Sequence, residues 1–284
     1  MRAMKRSVLS LSRATGRFTS AARVLPTFLI AGAQRCGTTS LYRALAQHPL
    51  LLKPVLHKGV HYFDIDYRRG LSWYQAHFPL RVSVALLAHR YGTRAQAYES
   101  SPYYLFHPLA GERIAADLPG VKLIVLVRDP VERASSAHAH ELARGFETES
   151  HFEYALELES RRLAGAEEQL RQSPHALHHS HRHHGYLARG RYADQLDRLE
   201  PLIGRDRLLV LDSHRFFAEP ETAYDRVLDF LGVPHLGYPV FERHNRRPLP
   251  RPVPQVLAQA LRDHFEPYDA RLTRWLDGEP SWRR

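Results

Sequence analysis

The residues with the clearest chemical purpose lie between positions 32 and 40, where the chain reads G-A-Q-R-C-G-T-T-S. Gly32 and Gly37 bracket four residues, and a run of hydroxyls follows. A loop entered from a strand and left through a helix turns successive backbone N–H groups toward one point, and the helix N-terminus adds its positive end. Anions bind in such places. The gap between the glycines matches a nucleoside-triphosphate loop, but the position that should be lysine is Thr38, and the cation is Arg35, three residues earlier. A nucleotide kinase needs that lysine on its β- and γ-phosphates, so the kinase reading is the weaker one. Cys36, Gly37, Thr38, Thr39 and Ser40 form the rest of the cradle with Arg35.

A second run, R-D-P-V-E-R-A-S-S, occupies 128–136. Arg128 offers a planar, charge-assisted fork to a dianionic phosphate, and Ser136 offers a hydroxyl from the helix that follows. Proton acceptors are less sharply marked. His61 comes first, because an unperturbed imidazole titrates near neutrality; Glu99 is second, with Glu141 and His140 behind it. Lys58 stands close enough in sequence to His61 to assist at a leaving oxygen. Six histidines fall between 175 and 184. Metal binding is the sharper chemistry for them, but no cysteine or carboxylate at ligand spacing completes a set, so a hydrated loop or helix end is expected and no metal.

These residues need elements to hold them. Short apolar, β-branched runs at 28–32, 122–127 and 208–211 read as buried strands, with a shorter one at 97–99. Helix-length sequence separates them, which predicts a mostly parallel sheet flanked by helices. Helices are expected over 38–48, 131–143, 192–199, 220–231, 253–264 and 268–276, the fourth ending at Gly232 in a C-cap position. The 284 residues suit one large domain, 26–284, behind a basic flexible tail, 1–25. The net charge of +10 is concentrated: the first 63 residues hold ten lysines and arginines and no acid, which suits an anionic ligand there. No nucleic-acid motif and no membrane-length apolar run is present, so neither nucleic acid nor a transmembrane segment is expected. One cysteine excludes an internal disulfide, consistent with a cytoplasmic protein.

Together the two runs resemble the PAPS-dependent sulfotransferases, which use 3′-phosphoadenosine 5′-phosphosulfate (PAPS) as sulfuryl donor. The first is similar to their 5′-phosphosulfate loop and the second to their 3′-phosphate motif. The resemblance implies that Arg35, usually lysine in the family, contacts the sulfuryl-bearing phosphate with residues 38–40, and that Arg128 and Ser136 take the 3′-phosphate. V-H-Y-F-D at 60–64, G-L-S-W-Y at 70–74 and E-S-S-P-Y-Y-L at 99–105 resemble blocks of the heparan-sulfate-type branch, which contains N-deacetylase/N-sulfotransferase-like and 3-O-sulfotransferase-like members. The stretch 244–252, with Arg246, Arg247 and Arg251, stands where the family closes a basic loop over the nucleotide. Two departures bear on chemistry. The glutamate that serves as base before the V-H block is Gly59 here, and the lysine of the later block is Ser100, leaving Lys58 as the available cation. The resemblance implies a P-loop-containing three-layer α/β sandwich, PAPS as co-substrate without a metal, and a hydroxyl or amine acceptor on a carbohydrate, glycolipid or small molecule. The arginine- and alanine-rich style is that of a bacterial member. A PAPS- or polyanion-binding protein without catalysis is the non-enzymatic alternative.

Overall fold

Strand β1, Phe28–Gly32, is buried at every position and forms the centre of a five-stranded sheet. The computed structural model describes residues 19–55, 57–242, 252–276 and 278–283. The other strands are β2 (Leu51–Leu52), β3 (Gln96–Ser100), β4 (Lys122–Val127) and β5 (Leu208–Asp212), and all neighbours run parallel in the order β2-β3-β1-β4-β5. Parallel strands covered on both faces read as continuous apolar runs, and residues 123–127 of β4 are each fully buried. Each such side chain contributes roughly 1.5–3 kcal/mol of burial. The sheet therefore matches the parallel α/β reading, with β3 longer than 97–99 and β2 too short to be visible in the sequence.

Among the described residues twelve helices surround it: α1 (Thr38–Leu45), α2 (Leu71–Gln75), α3 (Arg81–Tyr91), α4 (Ala110–Asp117), α5 (Pro130–Arg144), α6 (Phe152–Leu163), α7 (Ala166–Gln172), α8 (His179–His183), α9 (Tyr192–Ile203), α10 (Ser213–Ala218), α11 (Pro220–Leu231) and α12 (Gln255–Leu272). Helix α12 corrects the expected break between 264 and 268. Pro267 lies inside it, and contacts on both sides outweigh the lost N–H: Phe265 and Leu272 are buried, and Arg271 pairs with Asp194 at 2.6 Å. Ordered structure also begins before 26. Arg23 donates to the Phe78 carbonyl at 2.6 Å and Val24 N–H to Pro79 at 3.0 Å.

The strand order fixes where a ligand can sit. From β1 the chain moves outward to β2 and returns through β3, then crosses to β4 on the other side of β1. At such a switch point the loops leaving the two central strands diverge, and the crevice beyond their carboxyl ends is the usual ligand site. The loop after β1 and the run after β4 are the two motifs singled out in the sequence.

Candidate active site

Close packing dictates the first glycine of the phosphate loop. A Cβ at Gly32 would lie 2.6 Å from Leu105 Cβ and Cδ2. Arg35 adopts φ 70° and Gly37 φ 88°, both left-handed, and Gly37 is the N-cap of α1 without any side-chain cap. With glycine at the N-cap, no cap side chain stands in front of α1, which leaves that helix end suited to an anion. Substitution at Gly37 would be strained by its φ and would bring a Cβ to 3.1 Å from Phe217 and 3.2 Å from Ser213 Oγ on α10. Thr38 and Ser40 are buried, while Thr39 Oγ1 accepts from Lys58 Nζ at 2.6 Å. Cys36 takes a packing part in the loop rather than a ligand-facing one. Its thiol is buried against Tyr192 OH at 3.6 Å, with its pKa raised by that burial, and its N–H donates to the Ala33 carbonyl.

The second motif explains itself locally. Asp129 caps α5, its Oδ1 accepting from Val131 N at 2.8 Å and Glu132 N at 3.3 Å, with Pro130 in the first helical turn. Ser136 then falls in the second turn, where its Oγ accepts from Arg35 Nε at 3.0 Å. That contact joins residues 101 apart and brings the two motifs into one site. Arg128 sits with Nε and Nη2 on Glu132 Oε2, at 2.9 and 2.5 Å. Tyr192 braces both runs, donating to the Arg128 carbonyl at 2.9 Å while touching Cys36. Arg246, Arg247 and Arg251 lie outside the described residues.

The third segment approaches from residues 57–64. Gly59 and His61 both have positive φ, 76° and 56°, and a Cβ on Gly59 would come within 3.3 Å of His61 Nε2. The missing side chain at 59 is therefore space that the imidazole uses. His61 Nδ1 meets Asp64 Oδ2 at 2.8 Å, and the His61 backbone N–H donates to Ser101 Oγ at 3.1 Å. Burial works to lower the His61 pKa, but the charge and hydrogen bond of Asp64, helped by Glu99, hold it above the usual histidine value. The ring remains partly accessible, with 32% of the side chain exposed, and Nε2 has no hydrogen-bond partner among the described residues. Lys58 shows the opposite balance: burial and then Arg43 push its pKa down to about 8, with Glu99 opposing.

Glu99 is enclosed. Oε1 accepts from Tyr104 OH at 2.6 Å and Tyr74 OH at 3.1 Å; Oε2 accepts from Ser101 Oγ at 2.7 Å and Val60 N at 3.2 Å. Burial raises its pKa against those bonds. A carboxylate with four donors and no exposed surface anchors the segment before His61. Glu141 is likewise engaged, accepting from Gln34 Nε2 at 3.1 Å and meeting His183 Nδ1 at 2.8 Å, with His140 beside it on α5. Gln34 Oε1 accepts in turn from Arg189 Nη1 at 2.5 Å, so buried Arg189 and Glu141 hold the side chain of the phosphate loop's third residue. Asp64, Gln34, Arg189 and Tyr192 were not legible as site residues, since each acts through contacts distant in sequence or, for Asp64, through a turn that bends back on itself.

The histidine-rich segment corrects the expectation of a hydrated loop. His181, His183 and His184 are buried. His181 stacks on Phe106 with centroids 4.3 Å apart, His183 on Phe146 at 4.2 Å, and His184 Nε2 lies 2.9 Å from the Phe146 carbonyl. The aromatic partners come from 106 and 146, so the run of imidazoles did not reveal its own burial. Among the described residues no group of three or more histidine, cysteine or acidic residues is placed to hold a metal ion. No helix among them is long and apolar enough to cross a membrane.

Comparison with known proteins agrees with this geometry. The model of the sulfotransferase domain matches residues 25–244. A human bifunctional heparan sulfate N-deacetylase/N-sulfotransferase 3 is 30% identical over 220 residues, which are 75% of this chain and 23% of that protein. The chain thus spans about a quarter of the length of such two-activity relatives. Human heparan sulfate glucosamine 3-O-sulfotransferase 6 is 26% identical over 92% of this chain and 74% of its own. Among solved structures, a sulfotransferase from Alicyclobacillus acidocaldarius is 30% identical, with a TM-score of 0.63 over 92% of this chain and all of that one. A matched domain covering most of the sequence, laid over a parallel sheet whose two central strands deliver both anion-binding runs to one point, places this chain in the sulfotransferase family.

Proposed function

We propose that this chain moves a sulfuryl group from PAPS to a hydroxyl or amine of a carbohydrate acceptor. The observation that carries the reading is the meeting of Arg35 with Ser136 at 3.0 Å beyond adjacent strands β1 and β4. On this reading one cationic site takes two anionic groups of a single nucleotide. The residues fit that co-substrate. Arg35 and the glycine-led start of α1 suit the 5′-phosphosulfate, and Arg128 and Ser136 suit the 3′-phosphate. PAPS, when bound, supplies the sulfuryl group and an anionic leaving phosphate.

The chain's own residues do the remainder. His61 Nε2 takes the acceptor proton while Asp64 holds the imidazole in the tautomer that carries its own proton on Nδ1. Arg35, the α1 amides and Lys58 oppose the negative charge that builds on the leaving oxygen. Fixed positions beside one loop make the displacement effectively unimolecular. A cleft of about 800 Å³ lies next to Thr39 and Lys58, lined also by Tyr42, Arg43, Lys53 and His57. Heparan sulfate appears in the names of two of the sulfotransferases similar in sequence, which supports a carbohydrate acceptor.

The test is direct: transfer of labelled sulfate from PAPS to a panel of glycans and small hydroxyl or amine acceptors, read by mass, beside calorimetry with adenosine 3′,5′-bisphosphate. Tight binding with transfer to at least one glycan is expected. Absence of nucleotide binding would overturn the reading. Binding without transfer to any acceptor, by an otherwise folded protein, would leave the non-catalytic alternative in its place.

A further inference from the structure

Glu132 has no part in the chemistry described above, yet it holds the guanidinium on which the 3′-phosphate depends. Arg128, Glu132 and Ser136 follow one another at intervals of four, the last two on one face of α5. Both hydrogen bonds from Arg128 to Glu132 leave from the Nε–Nη2 edge and end on the same oxygen, Oε2. That edge is the fork with which arginine grips a phosphate in two-point fashion. Ser136 Oγ, the other group assigned to the 3′-phosphate, is engaged by Arg35. Within the chain, then, the two groups have internal partners, and one of those partners is an anion.

The geometry points to Glu132 as the residue that sets how tightly the 3′-phosphate is held: its carboxylate keeps Arg128 oriented in the free protein and competes with the phosphate for the same edge. This inference rests on the reading that Arg128 and Ser136 bind that phosphate. A dianion that takes the Nε–Nη2 edge displaces the carboxylate from it and then remains near it, so affinity is lowered by the lost ion pair and by like-charge proximity. Glu132 is a positioning residue and touches no reacting atom. Its side chain is about half exposed, at 53%, so the carboxylate can swing into solvent without disturbing the core. The weakening it imposes on adenosine 3′,5′-bisphosphate, the product, would ease release of that product after each turnover.

Calorimetry on the full chain separates the possibilities with two ligands and two variants. The ligands are adenosine 3′,5′-bisphosphate and adenosine 5′-monophosphate, which differ only in the 3′-phosphate. Glu132→Gln is expected to bind the bisphosphate roughly three- to fivefold more tightly, the size of an exposed ion pair, and to leave the monophosphate unchanged. Bisphosphate affinity that stays the same or falls in Glu132→Gln, while Arg128→Ala abolishes the preference for bisphosphate over monophosphate, would overturn the inference and leave the nucleotide site standing. Retention of that preference in Arg128→Ala would overturn the underlying assignment of Arg128. Thermal melts of both variants establish that the fold is intact, as exposed Glu132 and half-buried Arg128 lead one to expect.

Discussion

The donor side and the proton side of this site are built in different ways. On the donor side, two contiguous runs directly after β1 and β4 supply nearly everything, and their shapes are local: positive φ at Arg35 and Gly37, and an aspartate cap at the start of α5. On the proton side, His61 depends on Asp64, Ser101 and Glu99, and Glu99 depends in turn on Tyr74, Tyr104 and Val60. Anion binding can be local because backbone N–H groups and one or two cations satisfy a phosphate. Tuning a base cannot, because it needs burial and opposing charge from several elements at once. Affinity and turnover should therefore fail separately.

The division would break most visibly at His61. His61→Ala is expected to lower kcat by about three orders of magnitude while leaving the dissociation constant of adenosine 3′,5′-bisphosphate within about twofold. A loss of nucleotide affinity as large as the loss in turnover would make the two sides one unit. Arg35→Ala is the converse probe, since the proposal puts Arg35 on the donor side, against the leaving group. We expect kcat/KM to fall by about two to three orders of magnitude, with Arg35→Lys restoring part of it because the charge returns without the fork. No rescue by lysine would mean that the hydrogen bond to Ser136 matters more than the charge.

The pH profile sharpens the comparison, since each side contributes one limb to kcat/KM of the free enzyme. His61 acts as base only when neutral, and its pKa stands above the usual histidine value, so activity should fall as pH drops through a point above about 6.5. Asp64→Asn removes the charge that raises that pKa and should move the limb toward acid. Lys58 is cationic only below its lowered pKa of about 8, so its help to the leaving oxygen is lost as pH rises past that value. The result is a narrow bell, and Lys58→Arg should flatten its alkaline side. A profile unchanged by Asp64→Asn would remove His61 from the base role.

What was readable in the sequence follows the same line. Three of the strands and both anion-binding runs could be placed because apolar runs, glycines and a cap residue speak for themselves over a few positions. The two-residue strand β2 carries no such pattern and exists because β3 accepts it, with Leu51 opposite Gln96. The expected break between 264 and 268 is absent because buried Phe265 and Leu272 and the ion pairs from Arg271 to α9 hold α12 together through Pro267. The histidine run suggested hydration because its stacking partners lie at 106 and 146. Gly59 read as a missing base, and only the fold shows the His61 ring packed 3.3 Å from where its Cβ would stand.

Glu99 gives the smallest expected effect and the finest test, since as a carboxylate near His61 it stands second among the candidate bases. Four donors converge on it, and a glutamine in its place would present an amide N–H₂ to two of them. Two of the partners can adapt. The hydroxyls of Tyr74 and Tyr104 can rotate to accept, while the Val60 N–H and Ser101 keep the amide oxygen. Glu99→Gln should therefore cost about 1–3 kcal/mol of stability, seen as a fall in Tm of several degrees. Turnover should stay within about threefold of the parent, because the imidazole and Asp64 keep their contact. Loss of a base typically costs about a hundredfold or more. A drop of that size in a Glu99→Gln protein that melts near the parent temperature would transfer the base role to Glu99, and would show that a carboxylate closed in by four donors opens during turnover.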